Sequence, residues 1–180
     1  MFYYFDTETT GFSPKEDCII SAQIQPIFDN GEPRNALEIY KTWGEDKLTE
    51  DDIVDMLYQK LMVDDIWSFI PVSFNIKFDF KFLAVRFMQK YPKFDTLKLF
   101  DRPFLDLHTL AVMVNGGSFK NSGLDHISEK KEDGANIPIW YKNREFDKID
   151  AYVKQEAESF LKFYRKYFNL LSGTGVVKHG

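Results

Sequence analysis

The stretch Phe2-Tyr3-Tyr4-Phe5-Asp6-Thr7-Glu8-Thr9-Thr10-Gly11 starts with four bulky residues and ends in acid, threonine and glycine. An unbroken Phe and Tyr run predicts a strand covered on both faces. Strand side chains alternate, so Asp6 and Glu8 point to one side and Thr7 to the other. Two carboxylates crowded at a buried strand end repel each other, and shared ligation of a divalent cation resolves the conflict. The same pair also fits an ordinary strand end whose acids meet water. Thr9-Thr10-Gly11 then turns the chain away.

A chain of 180 residues suits one domain with a sizeable core, here expected over residues 1–171, with 172–180 as a flexible tail. Its 44% hydrophobic and 17% aromatic content argues against disorder, and 18 Phe with 9 Tyr predict a core dominated by ring packing. The single cysteine, Cys18, excludes an internal disulfide framework and points to a reducing compartment. Beside Ile19 and Ile20 it reads as a buried strand thiol. With no basic-then-apolar leader and no apolar run of bilayer length, the expectation is a soluble, cytoplasmic protein without membrane contact. The net charge of −5 argues against a module that only grips nucleic acid, since such modules are basic. It suits a metal enzyme, whose cations offset an acidic site.

Outward from the opening strand, residues 18–28 and 36–43 read as two further strands, joined by the turn Asp29-Asn30-Gly31. Thr49 reads as a helix cap, and Ile53, Leu57 and Leu61 keep helical spacing. Their stripe changes phase near Val63, which predicts a break and a second short helix to Phe69. The acids of this region, Glu50 among them, read as a solvated face. A strand over 71–74, a helix over 79–89, a strand over 103–107, helices over 108–114 and 123–129, a polar loop over 130–146 and a last helix over 147–170 follow. The order fits an α/β layer fold with a mixed sheet of about five strands flanked by helices.

The second informative stretch is Ser73-Phe74-Asn75-Ile76-Lys77-Phe78-Asp79-Phe80-Lys81-Phe82-Leu83. Asn75 falls at a strand end and Asp79 at a helix start, where an acid is favoured by the helix dipole. Together with Asp6-x-Glu8, this stretch resembles the first two motifs of the DEDD 3'-5' exonucleases, a branch of the ribonuclease H-like superfamily. The second of those motifs has Asn, three residues, then Asp, with Phe before the Asp and Phe-Leu after it. The family's last acid lies on the final helix, preceded by a His at five residues or a Tyr at four. The final helix here has no His, but Tyr152 and Glu156 have the Tyr spacing and so share a face. At about 100° per residue they fall on one border of the stripe Ile149, Val153, Ala157, Phe160, Tyr164 and Phe168. Glu156 stands where the family usually has Asp, with an arm one methylene longer.

The resemblance implies a ribonuclease H-like fold and a metal-dependent 3'-5' exonuclease of the tyrosine (DEDDy) subclass, acting on DNA or RNA 3' ends, single-stranded by preference. It implies two divalent cations, Mg²⁺ or Mn²⁺, held by Asp6, Glu8, Asp79 and Glu156, with Tyr152 orienting the attacking water and a nucleoside 5'-monophosphate as product. Thr9 and Asn75 become substrate-side candidates. Phe12 either stacks on a base or belongs to the core, and Trp140-Tyr141-Lys142 either guides a strand or anchors its loop. Lys77, Lys81, Arg86 and Lys90 read mainly as surface, with phosphate contact as the alternative. Asp106 reads chiefly as the cap of the following helix. A polymerase or other protein partner is compatible with this reading. The competing reading is a degenerate nuclease fold used for binding or as a structural subunit.

Overall fold

β1 (Phe2–Thr9) forms the middle of the sheet, as its bulky and mostly buried residues require. The protein is described by a computed structural model that covers residues 1–127 and 134–173. β2 (Ile19–Ile27) and β3 (Glu38–Lys41) continue on one side of β1 as an antiparallel meander. β4 (Ile70–Ser73) and β5 (Leu105–Asp106) extend the other side in parallel. The five strands lie in the order β3-β2-β1-β4-β5, a mixed sheet. In register, Tyr4 faces Gln25, Asp6 faces Gln23 and Glu8 faces Ser21 across the β1–β2 pair.

Helices cover both faces. α1 (Glu50–Leu61) starts in a reciprocal capping box between Thr49 and Asp52. It packs with α2 (Ile76–Lys90) against the face that carries Phe5, Ala22 and Ile24. Phe80, Phe82, Leu83 and Phe87 of α2 are fully buried there, and truncating one such Phe to Ala costs about 3–5 kcal/mol. The opposite face carries Tyr4, Ile27 and Val72 and is covered by α7 (Phe146–Gly173) through Ala157, Phe160 and Tyr164. A third cluster joins Trp43, Ile137, Ile149, Tyr152 and Val153. Its rim is tied by Asp150, which accepts from Lys41 Nζ at 2.7 and 2.8 Å and from Trp43 Nε1 at 3.1 Å.

Several details depart from the sequence reading. Residues 63–68 form turns and bends where a second short helix was expected, with Asp65 accepting from the Trp67 amide and, through its carbonyl, from Ser68. A short helix α3 (Thr96–Phe100), capped by Asp95, was not anticipated. α4 (Leu107–Val114) and α5 (Leu124–Ile127) match their expected places, the end of α5 and the start of the polar loop lying outside the described residues. The described part of that loop is a 3-10 turn (Gly134–Asn136) running into α6 (Ile137–Lys142). Pro138 lies in the first turn of α6, where its missing N–H is harmless. Buried Ile137 then anchors α6 beneath Trp43 and Tyr152. Cys18 is exposed, because it precedes β2 in a turn held by paired contacts with Thr10. α7 runs through Ser172 and Gly173, and residues 174–180 lie outside the described ones.

Candidate active site

The alternation of β1 puts Tyr4, Asp6 and Glu8 on the face beneath α7, with Phe5 and Thr7 on the other. α7 covers Tyr4 with Phe160, ring centroids 4.8 Å apart, and one turn earlier presents Glu156 to the two acids. Asp6, Glu8 and Glu156 each offer a carboxylate oxygen within 4.8 Å of the others. Two oxygens bound to one hard cation at 2.0–2.6 Å lie no more than about 4–5 Å apart. The donor set therefore fits a divalent cation in both chemistry and spacing. Tyr152, one turn before Glu156 and almost fully buried, hydrogen-bonds the Glu156 carboxylate. Burial, then the charges of Glu156 and Glu8, push its phenol far above the ordinary tyrosine range. It is a fixed donor.

Asp79 arrives from the opposite layer. It lies in the first turn of α2, as expected, but the helix starts already at Ile76. Its Oδ1 accepts from the Thr7 amide at 3.0 Å and from the Thr7 hydroxyl at 2.6 Å. Burial pushes the Asp79 carboxyl up to about 7, against the pull of the Thr7 contacts, with Glu156 adding to the rise. Asp79 thus stands outside the three-carboxylate group, bonded from α2 to Thr7, which points to the other face of β1.

Asp6, Glu8 and Glu156 floor a cleft of about 360 Å³ lined also by Thr7, Thr9, Gly11, Phe12, Asn75, Phe78, Gly134, Ile137, Pro138 and Tyr152, with Asp79 buried behind Thr7. Asn75 precedes α2 in the left-handed region, φ 65° and ψ 45°, a conformation Asn tolerates better than most residues. Asp106 fixes it by accepting from the Asn75 amide at 2.8 Å, while capping α4 through the His108 amide at 3.0 Å. Phe12 resolves toward the rim: it is 73% exposed and meets Phe78 edge-on at 6.3 Å. The turn beneath it is closed by Asp17, which accepts from the Ser13 amide at 2.9 Å and the Thr10 hydroxyl at 3.2 Å. Gly134 passes so close that an added Cβ would lie 2.7 Å from the Tyr152 hydroxyl. Beyond Pro138 a second hollow is lined by Thr10, Ile139, Tyr141 and Lys142.

Sequence reasoning missed two contributors. Gly134 and α6 form a wall of the cleft where the polar sequence predicts a loop, and the apolar run Ile137-Pro138-Ile139-Trp140 is the signal for it. Glu50 was read as a solvated acid. It instead accepts from the Ile19 amide and from Arg86 Nε, each at 2.7 Å. Arg86 is spent on this contact and on the carbonyls of Pro14 and Asp17, so it braces the turn below the cleft. Lys90 pairs with Asp55.

A mixed five-stranded sheet flanked by helices, with three acids meeting at the end of its central strand, has the layout of the ribonuclease H-like α/β fold. The profile of the RNase_H superfamily matches residues 3–169, and the chain belongs to that superfamily. No curated protein matches it. Solved structures with the same fold include exonuclease I, at 12% identity and TM-score 0.51, covering 69% of this chain and 34% of that one. They also include the metal-free complex of Escherichia coli exonuclease I with single-stranded DNA, at 15% identity and TM-score 0.50, covering 71% and 34%. A moderately thermophilic exonuclease I from Methylocaldum szegediense has 14% identity and TM-score 0.50, covering 62% and 29%. The chain thus spans about a third of the length of these proteins. Among the described residues, no helix is long and apolar enough to cross a membrane.

Proposed function

We propose that the chain is a metal-dependent 3'-5' exonuclease of the DEDD type, in its tyrosine form, built as one domain over residues 1–171. The observation that carries this reading is the meeting of Asp6 and Glu8 from β1 with Glu156 from α7, Tyr152 bonded to the last. Asp6, Glu8, Asp79 and Glu156 would hold Mg²⁺ or Mn²⁺ ions, which supply an acidified water and neutralise phosphate charge. The protein's own groups do the rest. Tyr152 keeps its proton and donates it in a hydrogen bond to Glu156, so its oxygen orients the attacking water by accepting from it and is no base. Thr7 pins Oδ1 of Asp79 through its amide and its hydroxyl and so fixes the carboxyl's orientation. The water oxygen bonds to phosphorus, the bond to the penultimate 3'-oxygen breaks, and a nucleoside 5'-monophosphate leaves.

The substrate is the 3' end of a nucleic acid strand, as the single-stranded DNA complex of exonuclease I encourages. Thr9 meets the terminal 3'-hydroxyl, Asn75 borders the terminal sugar and exposed Phe12 stacks on a base. The strand leaves over Thr10 and α6, where Lys142 meets a phosphate. Incubation with 5'-labelled single-stranded DNA and RNA, with Mg²⁺ or Mn²⁺, tests this. A ladder shrinking from the 3' end, absent with EDTA and in Asp6→Ala, is expected. Intact strands under both metals would overturn the enzyme reading in favour of a repurposed fold.

A further inference from the structure

The face beneath α7 carries polar groups that neither the cation nor the substrate accounts for. Tyr4 is 1% exposed, and its hydroxyl has no hydrogen-bond partner among the described residues. A buried hydroxyl left unpaired is costly, and such exceptions mark a missing ligand or a role in the site. Tyr4 lies two residues before Asp6 on the same face, so its side chain enters the same gap between β1 and α7. Phe160 clamps its ring, and Phe160 is one turn from Glu156 on the same side of α7. The charges of Asp6, Glu156 and Glu8 all act on the hydroxyl, after burial itself, to push its pKa well up. A second orphan lies alongside. Gln23 faces Asp6 across the strand pair and gives its amide N–H to Ser21 at 2.9 Å, which leaves its carbonyl oxygen unpaired. Of the two unpaired polar atoms on this face, only the Tyr4 hydroxyl can donate, and the acceptors that share its face are the carboxylates.

We infer that Tyr4 is a positioning residue, whose hydroxyl donates a hydrogen bond to the Glu156 carboxylate when a divalent cation is bound, holding this longer side chain in ligating position. The inference rests on the proposed function and adds to it a residue behind the cation ligands. Glu has one more rotatable bond than the Asp usual at this place in the resemblance, so the longer carboxylate needs an additional anchor. Tyr152 holds Glu156 from the preceding turn; Tyr4 holds it from the strand side.

Calorimetric titration of Mn²⁺ into wild type, Tyr4→Phe and Phe163→Leu tests this, with melting curves in EDTA beside it. Tyr4→Phe keeps the ring on Phe160 and removes only the oxygen. The expected result is a Mn²⁺ affinity lowered about tenfold, the range for a lost hydrogen bond behind a metal ligand, with no loss of melting temperature in EDTA. Phe163→Leu trims a buried ring of the same cluster that packs on Phe74 and Tyr167, and should bind Mn²⁺ like the wild type. Equal affinity in wild type and Tyr4→Phe would overturn the inference and leave the proposed function standing. An equal fall in both variants would also overturn it, because packing and not the hydroxyl would be at work. A wild type that binds no Mn²⁺ would overturn the proposed function together with the inference.

Discussion

Replacing Glu156 by Gln should move stability and cation binding in opposite directions. In the cation-free protein Glu156 faces Asp6 and Glu8 with carboxylate oxygens no more than 4.8 Å away. Two like charges at that distance repel by about 3–4 kcal/mol at an effective dielectric constant of 20. Glu156 takes part in two such pairs. Its partial exposure and its contact with Tyr152 reduce the sum, and about 1–3 kcal/mol of net relief is a reasonable expectation. For a chain of this size, each kcal/mol moves the melting temperature by about 2–4 °C. Glu156→Gln should therefore melt about 2–12 °C above wild type in EDTA, since Gln keeps the shape and still pairs with Tyr152. In excess Mn²⁺ the order reverses: wild type gains by ligand linkage, and the variant gains little. Scanning fluorimetry with and without Mn²⁺ reads both effects. A variant that melts below wild type in EDTA, yet keeps the full Mn²⁺ shift, would show that the three carboxylates do not form one cation site.

Thr7→Val removes the shorter of the two bonds to Asp79 with little change in shape; a buried bond to a carboxyl is worth about 1.5–3 kcal/mol, which urea unfolding in EDTA should register as a loss. Gly134→Ala puts a methyl 2.7 Å from the buried Tyr152 hydroxyl, so the phenol has to shift, and kcat for strand digestion should fall by about tenfold or more in a steady-state assay. The Asp79 carboxyl has a folded pKa of about 7 against about 3.9 unfolded. The folded state thus binds the extra proton between these values, and cation-free stability should be full below about pH 4 and fall as pH rises to about 7. Melting curves across that window should show the slope in wild type and a weaker one in Asp79→Asn.

Sequence made the site's two strong elements legible for physical reasons. β1 carries an unbroken aromatic run and α7 a long periodic stripe, so Asp6, Glu8, Tyr152 and Glu156 fell on known faces of long elements. Asp79 was legible as a helix-start acid, but its bonding to Thr7 was not, because that depends on which face of the sheet α2 covers. Glu50 shows the same limit. A first-turn acid looks solvated in sequence and becomes the anchor of Ile19 and Arg86 only once α1, α2 and the turn before β2 are assembled. α6 was hidden by a proline and the polar residues on either side, although its apolar run marked it for burial. Phe12 was balanced between core and surface among so many Phe; the closure of its turn by Asp17 decides for the rim.

The most direct measurement is the form in which a 3'-terminal label leaves a single-stranded oligonucleotide, followed over time in Mn²⁺ for wild type and Glu8→Ala. The account predicts that the label first appears as nucleoside 5'-monophosphate, before any shorter oligonucleotide fragment carries it, and that Glu8→Ala releases none. Release first as an internal fragment, or equal release by Glu8→Ala, would contradict it.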